Sequence, residues 1–196
     1  MKAFHALLFC RNCLEDDDLR IIAGMRRGMK LKAPEGMGTR PTTDRVKESV
    51  FNLIQFHFPA DCVLDLFAGS GALGIEALSR GAKHCVFLDA DRNAAALVRE
   101  NLHSARFESE ATVFEQTAQA YLSQCHQVFD VIFLDPPYNK GFLLPVIQTI
   151  HERNLLAEGG IIVVETERGG EIVPDTYYPI KKSVAYGKTV ITILQG

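Results

Sequence analysis

Two short stretches of this chain carry side chains that could do chemistry together. The first is Asp65-Leu66-Phe67-Ala68-Gly69-Ser70-Gly71-Ala72-Leu73-Gly74, whose glycines spell GxGxxG between an apolar strand and a helix. Glycine lets the backbone turn sharply and lets a ligand lie against it. In an open parallel sheet such a turn is where ligands bind. The motif alone does not choose between the pyrophosphate of NAD and S-adenosyl-L-methionine. Asp65 discriminates, because an acid just ahead of the glycines attracts an ammonium group and repels a pyrophosphate. Asp89, followed by Ala90, ends the next strand, where a carboxylate can accept both ribose hydroxyls of either cofactor. Asp91 reads instead as the cap of the following helix.

The second stretch is Asp135-Pro136-Pro137-Tyr138, directly after the strongly apolar run Phe129-Asp130-Val131-Ile132-Phe133-Leu134. Two prolines fix the backbone past a buried strand, so the carbonyls of Asp135 and Pro136 point in set directions. A carboxylate, a rigid carbonyl and an aromatic ring then converge at the ligand edge of the sheet. That set suits the exocyclic amine of a nucleobase, a poor nucleophile whose lone pair is delocalised into the ring. Asp135 and the Pro136 carbonyl can each accept one N–H and aim the lone pair at a sulfonium methyl. Tyr138 can stack on the base. Catalysis is then chiefly positioning, with Asp135 or a water beyond it taking the surplus proton.

Elements that alternate from Asp61 onward position these groups. We read strands over 62–67, 84–89, 111–114, 129–134 and 160–165. Helices over 72–80, 92–103, a stretch ending at Leu122, and 142–153 lie between them. Such alternation means a mostly parallel sheet with helices on both faces. At the end, 181–185 and 189–194 flank Tyr186-Gly187-Lys188 and read as an antiparallel hairpin. Ahead of the alternation, 20–40 is rich in glycine and apolar pairs, as in a small hairpin. Thr42 or Thr43 can cap a helix from about Asp44 to Phe56, on which Val46, Val50, Leu53 and Ile54 share a face. The domains read as a tail over 1–19, a basic hairpin and helix over 20–58, and the α/β domain over 59–196.

The chain has 196 residues, 47% of them hydrophobic and 23% charged, which fits one soluble domain with a full core. No apolar run reaches the roughly 18 residues of a membrane span. The net charge of -3 argues against a nucleic-acid partner, but its distribution argues for one. Residues 20–47 hold Arg20, Arg26, Arg27, Lys30, Lys32, Arg40, Arg45 and Lys47 against only Glu35 and Asp44. A basic block on an acidic body can grip phosphate locally. The five cysteines are odd in number, and Cys62, Cys85 and Cys125 sit in apolar segments, as small hydrophobes do in a reducing cytosol. Cys10 and Cys13 make a lone CxxC; a structural zinc needs about four ligands, so no metal is expected. Residues 1–19 read as a disordered or non-native tail rather than a signal peptide, since the apolar run is short and contains His5.

Together these residues resemble a known group. The Asp65 to Gly71 and Asp135 to Tyr138 motifs resemble those of amino-group methyltransferases with a Rossmann-like fold. Arg20-Ile21-Ile22-Ala23-Gly24, Arg26-Arg27-Gly28 and Arg40-Pro41-Thr42-Thr43-Asp44-Arg45-Val46-Lys47-Glu48 narrow the likeness to the bacterial RsmD family. That family methylates N2 of a guanine in 16S ribosomal RNA. The resemblance covers roughly residues 20–194. It implies a class I S-adenosylmethionine-dependent fold: a seven-stranded sheet with a C-terminal antiparallel hairpin and a small N-terminal extension. Carried over, Asp65, Phe67, Ala68, Gly69, Ser70, Gly71, Asp89, Ala90, Thr117 and Ala118 would bind the cofactor. Asp135, Pro136, Pro137 and Tyr138 would hold the guanine. Arg26, Arg27, Arg40, Thr42, Thr43 and Arg45 would contact RNA. The family commonly has Asn or Asp after the third strand, where this chain has Thr117 and Ala118. A cytoplasmic monomer acting on 16S rRNA, within the small subunit or an assembly intermediate and away from membranes, is the corresponding expectation. An adenine-N6 methyltransferase on DNA or RNA would share the chemistry. A non-catalytic RNA-binding assembly factor or an NAD-dependent oxidoreductase would share only the fold.

Overall fold

A computed structural model describes residues 19–34, 44–137, 141–171, 173 and 175–196. The described chain runs α1 (Asp44–Leu53), β1 (Cys62–Asp65), α2 (Ala72–Ser79), β2 (His84–Asp89), α3 (Arg92–Ala105), β3 (Ala111–Glu115), α4 (Ala118–Gln124), β4 (Phe129–Leu134), α5 (Leu143–Glu152), β5 (Leu156–Glu167), β6 (Ile180–Tyr186) and β7 (Thr189–Gln195). The seven strands form one sheet in the order β3-β2-β1-β4-β5-β7-β6. All neighbours up to β5 are parallel, while β7 pairs antiparallel with both β5 and β6. Gly187, at a φ of 62°, opens the two-residue turn between β6 and β7.

Strands β1 and β4 are neighbours, yet the chain leaves β1 toward β2 and leaves β4 toward β5. The crevice between those diverging connections is the topological switch point of an open α/β sheet. Both chemistry-bearing motifs begin at this crevice.

Side chains alternate across the central strands and build two cores. One face carries Val63, Phe87, Val131, Phe133, Ile161 and Val163 under α1, α2 and α3. The other carries Leu64, Val86, Ile132, Leu134, Ile162 and Val164 under α4 and α5. Near-continuous apolar strands such as Phe129–Leu134 follow from burial on both faces.

Element ends shift slightly from the sequence reading. The first helix stops at Leu53, and a single 3-10 turn over Gln55–His57 completes it before Pro59. Strand β5 starts at Leu156 rather than Gly160, because Leu156 pairs with Phe129 ahead of an irregularity in the β4 register. Cross-strand partners there supply hydrogen bonds where the apolar pattern is missing.

The N-terminal segment joins the first core. Leu19, Ile21 and Leu31 are buried with Val50 and Phe51 of α1 and with Ile54 just after it. Backbone bonds Ile21 N to Met29 O at 2.9 Å and Leu31 N to Leu19 O at 2.7 Å close a small antiparallel loop. Glu76 of α2, fully buried, accepts the backbone N–H groups of Ile22 and Ala23 at 2.7 and 3.0 Å. The Lys47 ammonium, also fully buried, lies 4.0 Å from Glu76 and donates to the Arg20 carbonyl. Burial lowers the Lys47 pKa despite the Glu76 and Asp44 carboxylates nearby. Among the described residues no helix is long and apolar enough to cross a membrane.

Candidate active site

The glycine loop follows β1 closely. Ala68 N donates to Leu88 O at 2.8 Å and Leu66 N to Phe133 O at 3.2 Å, so the loop is laced to β2 and β4 before it turns. Gly69 and Gly71 have φ values of 54° and 78°, in the left-handed region that favours glycine. Gly74 serves a different need. A Cβ there would sit 2.2 Å from the Phe87 ring, so a side chain is excluded where α2 crosses β2. Phe67 is half-buried, with its ring 6.0 Å from that of Phe142. Ala68 is buried, and Ser70 half-buried.

Asp65 is almost wholly buried and accepts the Gly74 N–H at 3.1 Å. Burial pushes its carboxyl up to about 7; the Gly74 bond pulls it down and the Asp89 charge pushes it further up. Asp89 sits half-buried at the tip of β2. Its carboxylate accepts Gly69 N at 2.9 Å and Asp91 N at 2.9 Å. Each carboxylate oxygen has capacity for one further donor. Asp91 caps α3 through Asn93 N at 2.7 Å, the structural role read from the sequence.

Thr117 and Ala118 open α4. The Thr117 hydroxyl caps the helix by accepting Ala120 N at 3.3 Å, and Ala118 is buried beneath. Ala90 is exposed beside Asp89.

Asp135 follows β4, half-buried, with Pro136 buried and Pro137 exposed after it. Alternation puts Asp135 on the same face as Val131 and Phe133, and Asp65 on the face of Val63. Leu134 pairs with Val164, which brings Glu165 of β5 level with Asp135 and onto that same face. Asp89, Asp65, Asp135 and Glu165 therefore form a row of carboxylates across the carboxyl ends of β2, β1, β4 and β5. Burial, then the Glu165 and Asp65 charges, holds the Asp135 carboxyl well above the ordinary carboxylate range. A row of buried and half-buried acids favours a cationic or donor-rich ligand. It disfavours the pyrophosphate of a dinucleotide.

Tyr138, Arg40, Thr42 and Thr43 lie outside the described residues, as do His5, Cys10 and Cys13. Of the other basic residues, Arg27 and Arg45 are exposed. Arg26 is half-buried; it donates to Ala105 O at 3.0 Å and lies 5.6 Å from the Phe107 ring centre. Arg20 pairs with Asp44 at 2.7 Å and Lys32 with Glu100. Counting Lys47 as part of a phosphate-binding block needs correction. It is a core residue, and its charge is spent inside the fold.

Sequence reasoning passed over Asn101 as well as Glu165. Asn101, buried in α3, accepts Lys32 N at 2.8 Å and donates to Lys32 O at 3.0 Å and Ser70 O at 2.8 Å. One amide thus ties the glycine loop to the N-terminal segment. A polar residue on the apolar face of the helix, in line with Val98 and Ala105, was its only sequence signal.

The family model described as conserved hypothetical protein 95 matches residues 19–195. The ribosomal RNA small subunit methyltransferase D of Haemophilus influenzae is 40% identical over 87% of this chain and 90% of its own length. The protein of the same name from Escherichia coli is 39% identical over 85% of each chain. The chain belongs to this RsmD family. The family's fold is also this chain's fold. The solved structure of yhhF from Escherichia coli, 36% identical, superposes with a TM-score of 0.80 over 91% of this chain and 97% of that one. A likeness of fold alone extends to SMU.776, a structure complexed with SAH, at 15% identity and a TM-score of 0.60 over 78% of this chain and 48% of that one. The seven-stranded class I methyltransferase architecture, with its parallel body and antiparallel hairpin, is thus common to the family and to more distant proteins.

Proposed function

We propose that the protein transfers a methyl group from S-adenosylmethionine to the exocyclic N2 amine of a guanine in 16S ribosomal RNA. One observation carries the reading. The Asp135 carboxylate and the Pro136-Pro137 backbone stand one strand away from the glycine loop, on the face that also bears Asp65 and Asp89. Membership of the RsmD family supports the ribosomal RNA substrate.

The cofactor supplies an electrophilic methyl group on a sulfonium. Asp65 would hold its ammonium and Asp89 its ribose hydroxyls. The backbone of Phe67 to Gly71 would lie along it, and Ala90, Thr117 and Ala118 would border its adenine. The acids of the row favour the positive ligand. Asp135 and the Pro136 carbonyl each accept one N–H of the guanine amine, orienting its lone pair for in-line attack. Tyr138 stacks on the base. Methylation leaves a surplus proton on the amine, and Asp135, held at a raised pKa, is suited to receive it. A guanine must leave its stack to reach this crevice. Arg26, Arg27, Arg40, Thr42, Thr43 and Arg45 would grip the flanking phosphates, in the small subunit or a precursor of it. The protein would act as a cytoplasmic monomer.

Mapping methylated nucleotides on ribosomal RNA from cells with and without this protein tests the reading. One N2-methylguanine in 16S rRNA should vanish in its absence. An unchanged methylation map would overturn it, and loss of an N6-methyladenine instead would move the substrate to adenine.

A further inference from the structure

We propose that Glu165 reads the N1–H of the target guanine and so sets the choice of guanine over adenine, an inference that rests on the function proposed above. Leu134 and Val164 are register partners, and parallel neighbours lie about 4.8 Å apart. The next residues on each strand, Asp135 and Glu165, therefore present two carboxylates side by side on one face of the sheet. Glu165 is only 7% exposed, and it lines a small cleft with Pro136, Pro137, Leu143, Thr166 and Glu171. The cleft borders Pro136 and Pro137 of the motif that holds the amine and reaches past Glu165 to Glu167 and Glu171.

The chemistry of the base edge matches. Guanine presents N1–H and the N2 amine next to one another, all donors. Two adjacent carboxylates are all acceptors. Adenine presents its N6 amine beside a bare N1 lone pair, which would face the Glu165 oxygens in repulsion. The Asp-Pro-Pro-Tyr exit offers acceptors to an amine alone and would grip that of adenine as readily, so it cannot by itself reject adenine. A neighbouring acid at the level of Asp135 can. In the free protein burial, then the Glu165 and Asp65 charges, favours a proton on Asp135, and N–H donors entering between the two acids favour the ionised form instead.

The test uses 2-aminopurine, which keeps the amine on C2 but has a bare N1. Small subunits are reconstituted with ligated 16S rRNA bearing guanine or 2-aminopurine at the methylated position, and kcat/KM is measured for each. The wild-type protein should prefer guanine by about 10- to 100-fold. In Glu165→Gln the amide can turn its NH2 toward a bare N1, so that preference should shrink about tenfold. S-adenosylhomocysteine binding, measured on the same variant, should be unchanged. A structural role would lower both rates together and leave their ratio intact, which would overturn the inference. Equal wild-type rates on the two bases would overturn it without any variant. If the wild-type protein methylates neither, the function proposed above falls first, and this inference with it.

Discussion

The two edges of the sheet carry similar side chains and treat them differently. At the amino edge, Asp130 accepts the N–H groups of Asp61 and Cys62 at 2.8 Å each, and Asp61 pairs with exposed Lys83 at 2.6 Å. Those carboxylates are open to water and act as joinery at strand starts. At the carboxyl edge, Asp65 and Glu165 are buried, and Asp65 and Asp135 hold protons more tightly than ordinary carboxylates. Acids there are concentrated on one face of four strands instead of being dispersed among cations. The lesson is that an acidic residue beside an apolar strand is not informative alone. What matters is which end of the strand it occupies and whether its neighbours are acids or bases.

Exchanging one acid from each edge should separate them most sharply. Asp135→Ala should cut methyl transfer by about 10²- to 10³-fold, since it removes a preorganised acceptor at the reacting amine. Its S-adenosylhomocysteine affinity should stay near wild type by calorimetry. Wild-type turnover by this variant would erase the distinction between the edges.

A second expectation concerns protons. Below about pH 7 Asp65 keeps its proton in the free protein, with Asp89, Asp135 and Cys85 facing it. An ammonium-bearing ligand favours the ionised form. Affinity for S-adenosylhomocysteine should then fall about tenfold per pH unit below that value and level off above it. Well below that pH close to one proton should be released on binding, measurable in buffers of different ionisation enthalpy, and above it none. A flat profile from about pH 5.5 to 8 would remove Asp65 from contact with the ammonium.

At the amino edge, Asp130→Ala should lower stability by about 1 kcal/mol through two lost bonds to backbone N–H groups. Its kcat should remain that of the wild type, and a lowered kcat at full occupancy would show the edges to be coupled. The smallest effect is expected from Arg45→Ala, exposed at the start of α1. It should reduce the salt slope of RNA binding by about one unit, and an unchanged slope would take Arg45 out of the phosphate contacts.

Much of the fold could be read in advance because its strands are buried on both faces. Phe129–Leu134 and His84–Asp89 announce themselves by largely apolar character, and the glycine exit of β1 and the proline exit of β4 mark the ligand edge. Asp65, Asp89 and Asp135 were legible because each directly follows or ends such a run. Glu165 ends one too, in Ile161-Ile162-Val163-Val164-Glu165, but no neighbouring motif drew attention to it. Its meaning depends on register with β4, which a linear sequence does not display. Lys47 misled for the converse reason. A lysine two residues after Arg45 looks like surface charge until α2 brings Glu76 against it.

Glu76 gives the molecule an indivisible quality. It binds two N–H groups of the leading segment, meets Lys47 of the first helix, and takes the Arg80 guanidinium at 2.8 Å, while that guanidinium covers Phe51. Cutting the chain after residue 58 would not release a minimal catalytic body. It would strip Lys47 and two backbone N–H groups from a carboxylate inside the protein, leaving it Arg80, and would uncover Phe133, on which Phe51 now rests. The stretch that looks like an add-on for holding RNA is thus also part of the first core, and transplanting it between relatives would require its socket on α2 to travel with it.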